Sequence, residues 1–283
     1  MEPNNPSRLD AYLAKYWPEY SRSQWQKYIQ LGYVKVNGQT QTINKIVLGE
    51  DDEVTFDLPD KPSFSQDSLP IIYQDENVIV VDKPAGVLTH AKGELSHEFT
   101  VADFFSRFGS YSADSNRPGV VHRLDRDTSG VIIGALNDVT AKMLQQQFSK
   151  RQVRKEYIAV LDGIPKRDKA IIDLPIGRNP SAPSTFRVDP NGKSASTEYE
   201  VIATNQKHAL VKLRPLTGRT HQLRVHLNYI GTPIKGDRVY GKASDRLYLH
   251  AVSLNLTIPS GVSKTFESLV PTEFKKLFPG VKV

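Results

Sequence analysis

Residues able to do chemistry gather in two short runs of the 283-residue chain. The first is HRLDRDTSG, His122 to Gly130, set between Gly119-Val120-Val121 and the apolar run Val131-Ile132-Ile133. Acids, arginines, a histidine and hydroxyls beside a buried strand are costly unless they pair with one another, so the run reads as a site or as a strong structural turn. The second is GRTHQLRVH, Gly218 to His226, at a predicted helix start, where Arg224 follows Thr220 by one helical turn and shares its face. Neither run carries a metal signature. HExxH is missing, and His221 and His226 point in different directions on a helix. With no cysteine, the chain is closed to disulfides, thiolate zinc sites, iron–sulfur clusters and a cysteine nucleophile. GxGxxG and GxxxxGK[ST] are also absent, which removes the usual warrant for a nucleotide cofactor.

The elements that must position these runs divide at LPDKPSFSQDSL, Leu58 to Leu69, where Pro, Ser and Asp displace the apolar rhythm. The expected organisation is a small domain over 1–58, a linker over 59–69 and a large domain over 70–283. In the small domain, Leu9, Tyr12 and Leu13 share a helical face, and Ser21 with Gln24 forms a capping box that opens a helix running to Leu31. Val34 and Val36 alternate with Lys35 before the turn dipeptide Asn37-Gly38, a strand entering a hairpin, and Val54–Phe56 is a later strand. Downstream, strand-like runs recur at Ile71–Tyr73, Val78–Val81, Val131–Ala135, Tyr157–Leu161, Tyr199–Ile202, Leu210–Leu213 and Leu247–Leu256. Helical patterns fit Asn137–Phe148, Thr220–Tyr229 and Pro271–Phe278. Strands outnumbering helices in this way give an α+β fold.

The composition, 39% hydrophobic and 24% charged, is that of a globular protein, and no apolar run approaches the roughly 20 residues of a membrane span. The start, MEPNNPSRLD, lacks a secretory or transit pattern, so the expected location is the cytoplasm. A net charge of +6 tilts toward a polyanionic partner. That charge is uneven: residues 1–58 carry −2 and the remainder +8. Lys142, Lys150, Arg151, Arg154 and Lys155 form the clearest basic stretch, beside the strand expected at Tyr157.

HRLDRDTSG resembles the catalytic motif of the RluA-type pseudouridine synthases. VDKPAGVLTH (Val81–His90), RKEYIAV (Arg154–Val160), GRTHQLRVHL and GDRVYG (Gly236–Gly241) resemble that family's other motifs, in the same order. Residues 7–57, with RLDxYL and SRSxWQKxIxxGxVxVNG, resemble the RNA-binding domain first known from a small-subunit ribosomal protein, S-four, a module that often precedes synthases acting on large-subunit ribosomal RNA. The resemblance implies a mixed, mostly antiparallel catalytic sheet, a small N-terminal α/β RNA-binding domain, and the isomerisation of uridine to pseudouridine in structured RNA by base flipping. Ribosomal RNA is preferred to transfer RNA, and no cofactor, metal, membrane or protein partner is implied.

By the same resemblance Asp125 is the essential acid, while Asp127 stands at a variable position and reads as a solvated turn residue. Tyr157 is the active-site tyrosine whose ring stacks on uracil, and Arg224 pairs with the catalytic aspartate and orients it. Arg123 fills the gap left by the flipped nucleotide. His122, Lys83, Arg219 and His221 are further RNA contacts, with His90 beside Lys83 at the cleft. In the small domain the expected contacts are Arg8, Arg22, Lys35 and Asn37, with Lys45, although a net −2 departs from the basic surface such a module should show. Two rivals follow from the same residues. A non-catalytic RNA-binding or ribosome-assembly protein needs no Asp125, Tyr157 and Arg224 trio, and a glycosidase releasing uracil calls for a second dedicated carboxylate.

Overall fold

The structure is a computed structural model that describes residues 7–59, 63–91, 98–112 and 117–281. The chain forms two compact units, dividing between Ser63 and Phe64. Of the expected linker, residues 60–62 lie outside the described residues.

The small unit holds α1 (Leu9–Tyr16), α2 (Arg22–Gln30), β1 (Val34–Val36), β2 (Gln39–Gln41) and β3 (Val54–Phe56). Ser21 and Gln24 cap α2 reciprocally, satisfying backbone donors that would otherwise lack partners at the helix start. Asn37 and Gly38 both take positive φ, 51° and 74°, the geometry of a tight hairpin that folds β2 back on β1. β1 lies between β2 and β3, and its Val34 is fully buried, as are Leu9, Leu13, Trp25 and Ile29 of the two helices.

The large unit comprises β4 (Ile71–Gln74), β5 (Val78–Lys83), α3 (Val101–Phe105), β6 (Ser129–Ala135), α4 (Asp138–Ser149), β7 (Arg154–Asp162), β8 (Lys169–Asp173), β9 (Ile176–Arg178), β10 (Phe186–Val188), β11 (Ser196–Thr204), β12 (His208–Pro215), α5 (Gln222–Tyr229), β13 (Leu249–Thr257), β14 (Ser263–Glu267) and α6 (Thr272–Leu277). Nine strands make one sheet in the order β4-β5-β6-β13-β7-β12-β11-β8, with β14 added on β13, and β9 and β10 form a separate two-stranded ribbon. Every pairing in the large sheet is antiparallel except β6 with β13. β6 is buried along its whole length, as its unbroken apolar run requires. At the parallel junction Gly130, φ 112°, faces Ala251. A Cβ there would stand 2.1 Å from the Ala251 carbonyl oxygen, so only glycine lets the two strands close.

α4 fills the expected Asn137–Phe148 stretch with Asn137 as its cap, but α5 begins at Gln222, two residues later than expected. Thr220 therefore precedes the helix and does not share a helical face with Arg224. The cause is His221, which takes a left-handed conformation (φ 55°, ψ 17°) that no helix continues. Among the described residues no helix is long and apolar enough to cross a membrane.

Candidate active site

The HRLDRDTSG run is the loop leading into β6, and VDKPAGVLTH braces it from below. Thr89 Oγ1 donates to the Leu124 carbonyl at 2.8 Å and accepts from its N–H at 3.2 Å. Lys83 is fully buried, and its ammonium donates to the carbonyls of Pro84, Val87 and Arg126 at 2.9, 2.7 and 2.8 Å. Burial pulls its pKa down to about 7 against the charges of Asp127 and Asp125, yet three carbonyl acceptors suit the three protons of an ammonium. Lys83 thus ties two loops together. The expectation that it contacts RNA is corrected, because a side chain with no exposed surface and all its donors engaged has nothing left to offer; neither it nor His90 lines the cavity beside the loop. Asp127 is not merely solvated: Arg238 reaches it at 2.8 Å.

That cavity has a volume of about 1130 Å³ and takes its walls from the loop, from β7, and from the Arg214–Arg224 segment between β12 and α5. Asp125, Tyr157, Arg224, Arg123, His122, Arg219 and His221 all line it, brought together from positions about a hundred residues apart. Seven lysine and arginine side chains but only two carboxylates, Asp125 and Glu156, contribute to the wall. Such an excess of cations is a field for a polyanion.

Arg224 is the hinge of the geometry. It is buried, and its guanidinium grips Asp237 in a two-pronged bond, Nε to Oδ2 at 2.7 Å and Nη2 to Oδ1 at 2.8 Å, leaving Nη1 to reach Asp125 Oδ2 at 3.4 Å. Burial works against the Arg224 charge, but Asp237 and Asp125 more than offset it, and the net shift is upward. Asp237 is in turn drawn down, since the penalty of its burial is outweighed by Arg224 and by the N–H groups of Val239 and Tyr240. His221 presents Nε2 to the same Asp125 oxygen at 3.8 Å while its Nδ1 meets the Tyr240 hydroxyl at 2.8 Å. Tyr240 is itself fixed by the Phe186 N–H at 2.9 Å. The left-handed turn that aims His221 is anchored by Gln222, whose Oε1 accepts from Thr217 and the Arg219 N–H. Arg224 and His221 both approach Oδ2, and Oδ1 of Asp125 has no hydrogen-bond or ion-pair partner among the described residues.

Tyr157 rises from β7 into the same wall. Burial pushes its phenol above the usual tyrosine range, with the Asp125 charge adding to the effect, so the hydroxyl keeps its proton at neutral pH. His122 stacks on Phe148 at 4.5 Å and accepts the Ile133 N–H on Nε2 at 3.1 Å. Burial, helped by the Lys155 charge, draws its pKa down to about 3, so it stands neutral. Arg123 is exposed at the rim, and Arg219 bonds the Ser194 carbonyl through Nε at 3.0 Å with its remaining nitrogens outward.

In the small unit, three expected contacts prove to be braces. Arg8 and Arg22 both clasp Asp10, which is fully buried and which Gln26 also bonds at 2.6 Å. Burial raises the Asp10 pKa, but these donors overcome that and hold it at about 2. Asn37 bonds Asp52 and the Glu53 N–H across its turn. Of the five expected contacts, Lys35 and Lys45 are exposed with no side-chain bond among the described residues.

Sequence reasoning passed over Asp237 and Tyr240. Both stand in GDRVYG, and a buried arginine's need for a carboxylate was the signal that could have singled out Asp237.

Comparison with known proteins identifies the family. A family model described as RNA pseudouridylate synthase matches residues 77–229, and the S4 domain model matches residues 7–54. The chain is 37% identical to the ribosomal large subunit pseudouridine synthase D of Borreliella burgdorferi, over 95% of this chain and 88% of that one. It is 32% identical to the protein of the same name from Escherichia coli, over 95% and 89%. Among solved structures, human RNA pseudouridylate synthase domain containing 1 superposes with a TM-score of 0.61 at 29% identity, over 76% of this chain and 88% of that one.

Proposed function

The chain belongs to the RNA pseudouridylate synthase family, and from that premise we propose that it isomerises specific uridines of large-subunit ribosomal RNA, with Asp125 as the acting carboxylate. One observation carries the residue assignment. Asp125 lines a cation-rich cavity together with Tyr157, with one oxygen engaged by Arg224 and His221 and the other without a partner among the described residues.

The reaction breaks the bond from uracil N1 to the anomeric carbon, turns the base, and joins the same carbon to uracil C5. A proton leaves C5 and N1 gains one, so atoms and electrons balance without oxidant or reductant, and the reading assigns no cofactor. Asp125 acts at the sugar, on the anomeric carbon or on its neighbouring proton. The Tyr157 ring provides a stacking face that retains the detached uracil, and its protonated phenol serves as a hydrogen-bond group beside the migrating base. Arg224, locked to Asp237, fixes the carboxylate's orientation without ordering cost at the moment of reaction. Arg123 at the rim suits stacking in the gap left by the extruded nucleotide, with His122, Arg219 and His221 around it.

The division of labour follows the two units: residues 1–58 grip RNA and residues 70–283 carry the chemistry, with 59–69 between them. The substrate class and the preference for ribosomal over transfer RNA rest on the named relatives and the S4 match. Pseudouridine mapping in ribosomal and transfer RNA from cells with and without this protein tests the reading. Sites lost from large-subunit ribosomal RNA and restored by the wild type but not by Asp125→Asn are expected. Loss confined to transfer RNA would redirect the substrate, and no loss anywhere would leave a non-catalytic binder.

A further inference from the structure

Along β7 side chains alternate between faces, so Lys155 shares the Tyr157 face and lies about 6.7 Å from it along the strand. Pairing of β7 with β12 stops at Tyr157, and beyond it Lys155, Leu216 and Gly218 line the same cavity. The Lys155 ammonium lies 3.8 Å from where a Gly218 Cβ would stand, and its charge is felt by His122.

Arg123, Arg151 and Arg154 of the same wall are exposed and likewise unpaired among the described residues; what sets Lys155 apart is that it is unpaired and partly buried. Among the described residues no carboxylate lies within 4 Å of its ammonium and no acceptor is bonded to it. The two carboxylates of the wall are already committed, Asp125 to Arg224 and Glu156 to Arg214 at 2.7 Å. His122 is neutral and cannot compensate. Loss of hydration pushes the Lys155 pKa below the usual lysine range. A partly buried, unpaired cation costs stability, and such a cost persists where a ligand supplies the missing charge.

We propose that Lys155 is a phosphate subsite, receiving a backbone phosphate of the nucleotide whose base stacks on Tyr157. The inference rests on the RNA reading above and adds to it a specific ligand group. One nucleotide bridges the spacing between the two side chains, base on the ring and phosphate on the ammonium. Lys155 would thereby fix the phase of the flipped nucleotide in the cavity, whereas Lys150 and Arg151, exposed at the end of α4, add only diffuse attraction.

The test compares wild type, Lys155→Met, Lys155→Arg and Lys150→Met, all full chains, on an unmodified transcript of large-subunit ribosomal RNA. Affinity is titrated across salt concentrations, pseudouridine formation is followed, and each protein is melted. Lys155→Met is expected to weaken binding and raise KM about tenfold, and to flatten the salt dependence by about 0.7–0.9 log units for the one contact. Lys155→Arg, which still binds phosphate but cannot exchange a proton, should recover most of both. The Lys155→Met melting temperature should equal or exceed that of wild type, because an unpaired charge has been removed. Unchanged affinity and salt slope in Lys155→Met would overturn the proposal, as would a lowered melting temperature with binding intact or an inactive Lys155→Arg that binds normally. A wild type that binds but forms no pseudouridine would defeat the enzymatic reading while leaving the binding comparison decisive for Lys155.

Discussion

Asparagine at Asp237 and asparagine at Asp125 should produce opposite phenotypes although both carboxylates touch the same guanidinium. Asp237 is buried and accepts from Arg224 Nε and Nη2 and from the N–H groups of Val239 and Tyr240. An amide offers one acceptor oxygen and must turn an NH₂ toward a donor, so at least one of those partners is left unmatched and a buried arginine loses its counter-charge. Breaking a buried pair from one side costs about 3–5 kcal/mol, which for a unit of this size lowers Tm by roughly 10 °C. Asp125 is different. Its side chain is 18% exposed and its contacts, at 3.4 and 3.8 Å, are long, while Arg224 keeps both bonds to Asp237 when it is lost. Asp125→Asn should therefore cost less than about 1 kcal/mol and bind RNA within about tenfold of wild type, yet form no pseudouridine. Urea unfolding, a binding titration and a modification assay on the same preparations separate the two. The reasoning is refuted if Asp125→Asn destabilises as much as Asp237→Asn, or if folded Asp125→Asn protein turns over.

Tyr157→Phe should bind substrate RNA normally and stall product formation, since the stacking face stays and the hydroxyl goes, whereas Tyr157→Ala should lose stacking worth roughly 1–3 kcal/mol as well; wild-type turnover by the Phe variant would reduce Tyr157 to a platform. His122, with a folded-state pKa near 3 against an ordinary 6.5, takes up its proton first in the unfolded chain. Its contribution is therefore complete above the unfolded value and drains away as pH falls toward the folded one, by up to about 1.4 kcal/mol per pH unit. Urea melts near neutrality and in mild acid should show a shallower loss for His122→Gln than for wild type, and equal losses would remove His122 as the source. Deleting residues 1–59 should weaken RNA binding and flatten its salt dependence by about 0.7–0.9 log units per phosphate released; an unchanged slope would mean that the small unit makes no phosphate contact.

The sequence was most legible where one physical signal dominated. The β6 strand follows from an apolar run, α2 from its capping box, and the β1–β2 hairpin from Asn37-Gly38. β8, β9, β10 and β14 escaped because KAIID, IGR, FRV and SKTFE are short and alternate weakly, and their pairing depends on partners distant in sequence. In the site, Asp125, Tyr157, Arg224 and His221 were visible as residue types within motifs, and the fold does gather them. What pattern could not separate was a cation facing RNA from a cation holding the protein together. Lys83, Arg8 and Arg22 look like ligand-binding residues on paper, and the structure shows Lys83 buried with every donor engaged and the two arginines paired to the buried Asp10.

The parallel junction of β6 with β13 is also a seam between two sub-assemblies. On one side lie β4, β5 and β6, built from residues 71–135, and on the other lie β7, β8, β11, β12, β13 and β14, built from residues 154–267. Asp125 rides on the first and Tyr157, His221 and Arg224 on the second. Each part can form its hairpins locally, but their union waits for Gly130 to meet Ala251, a contact across most of the large unit and therefore slow to close. Asp125 consequently lacks its Arg224 and His221 partners in a nascent or half-folded chain, and on the proposed reading such a chain is inactive. During refolding, strand signals should recover before activity, so the reaction itself reports the moment at which the seam is sealed.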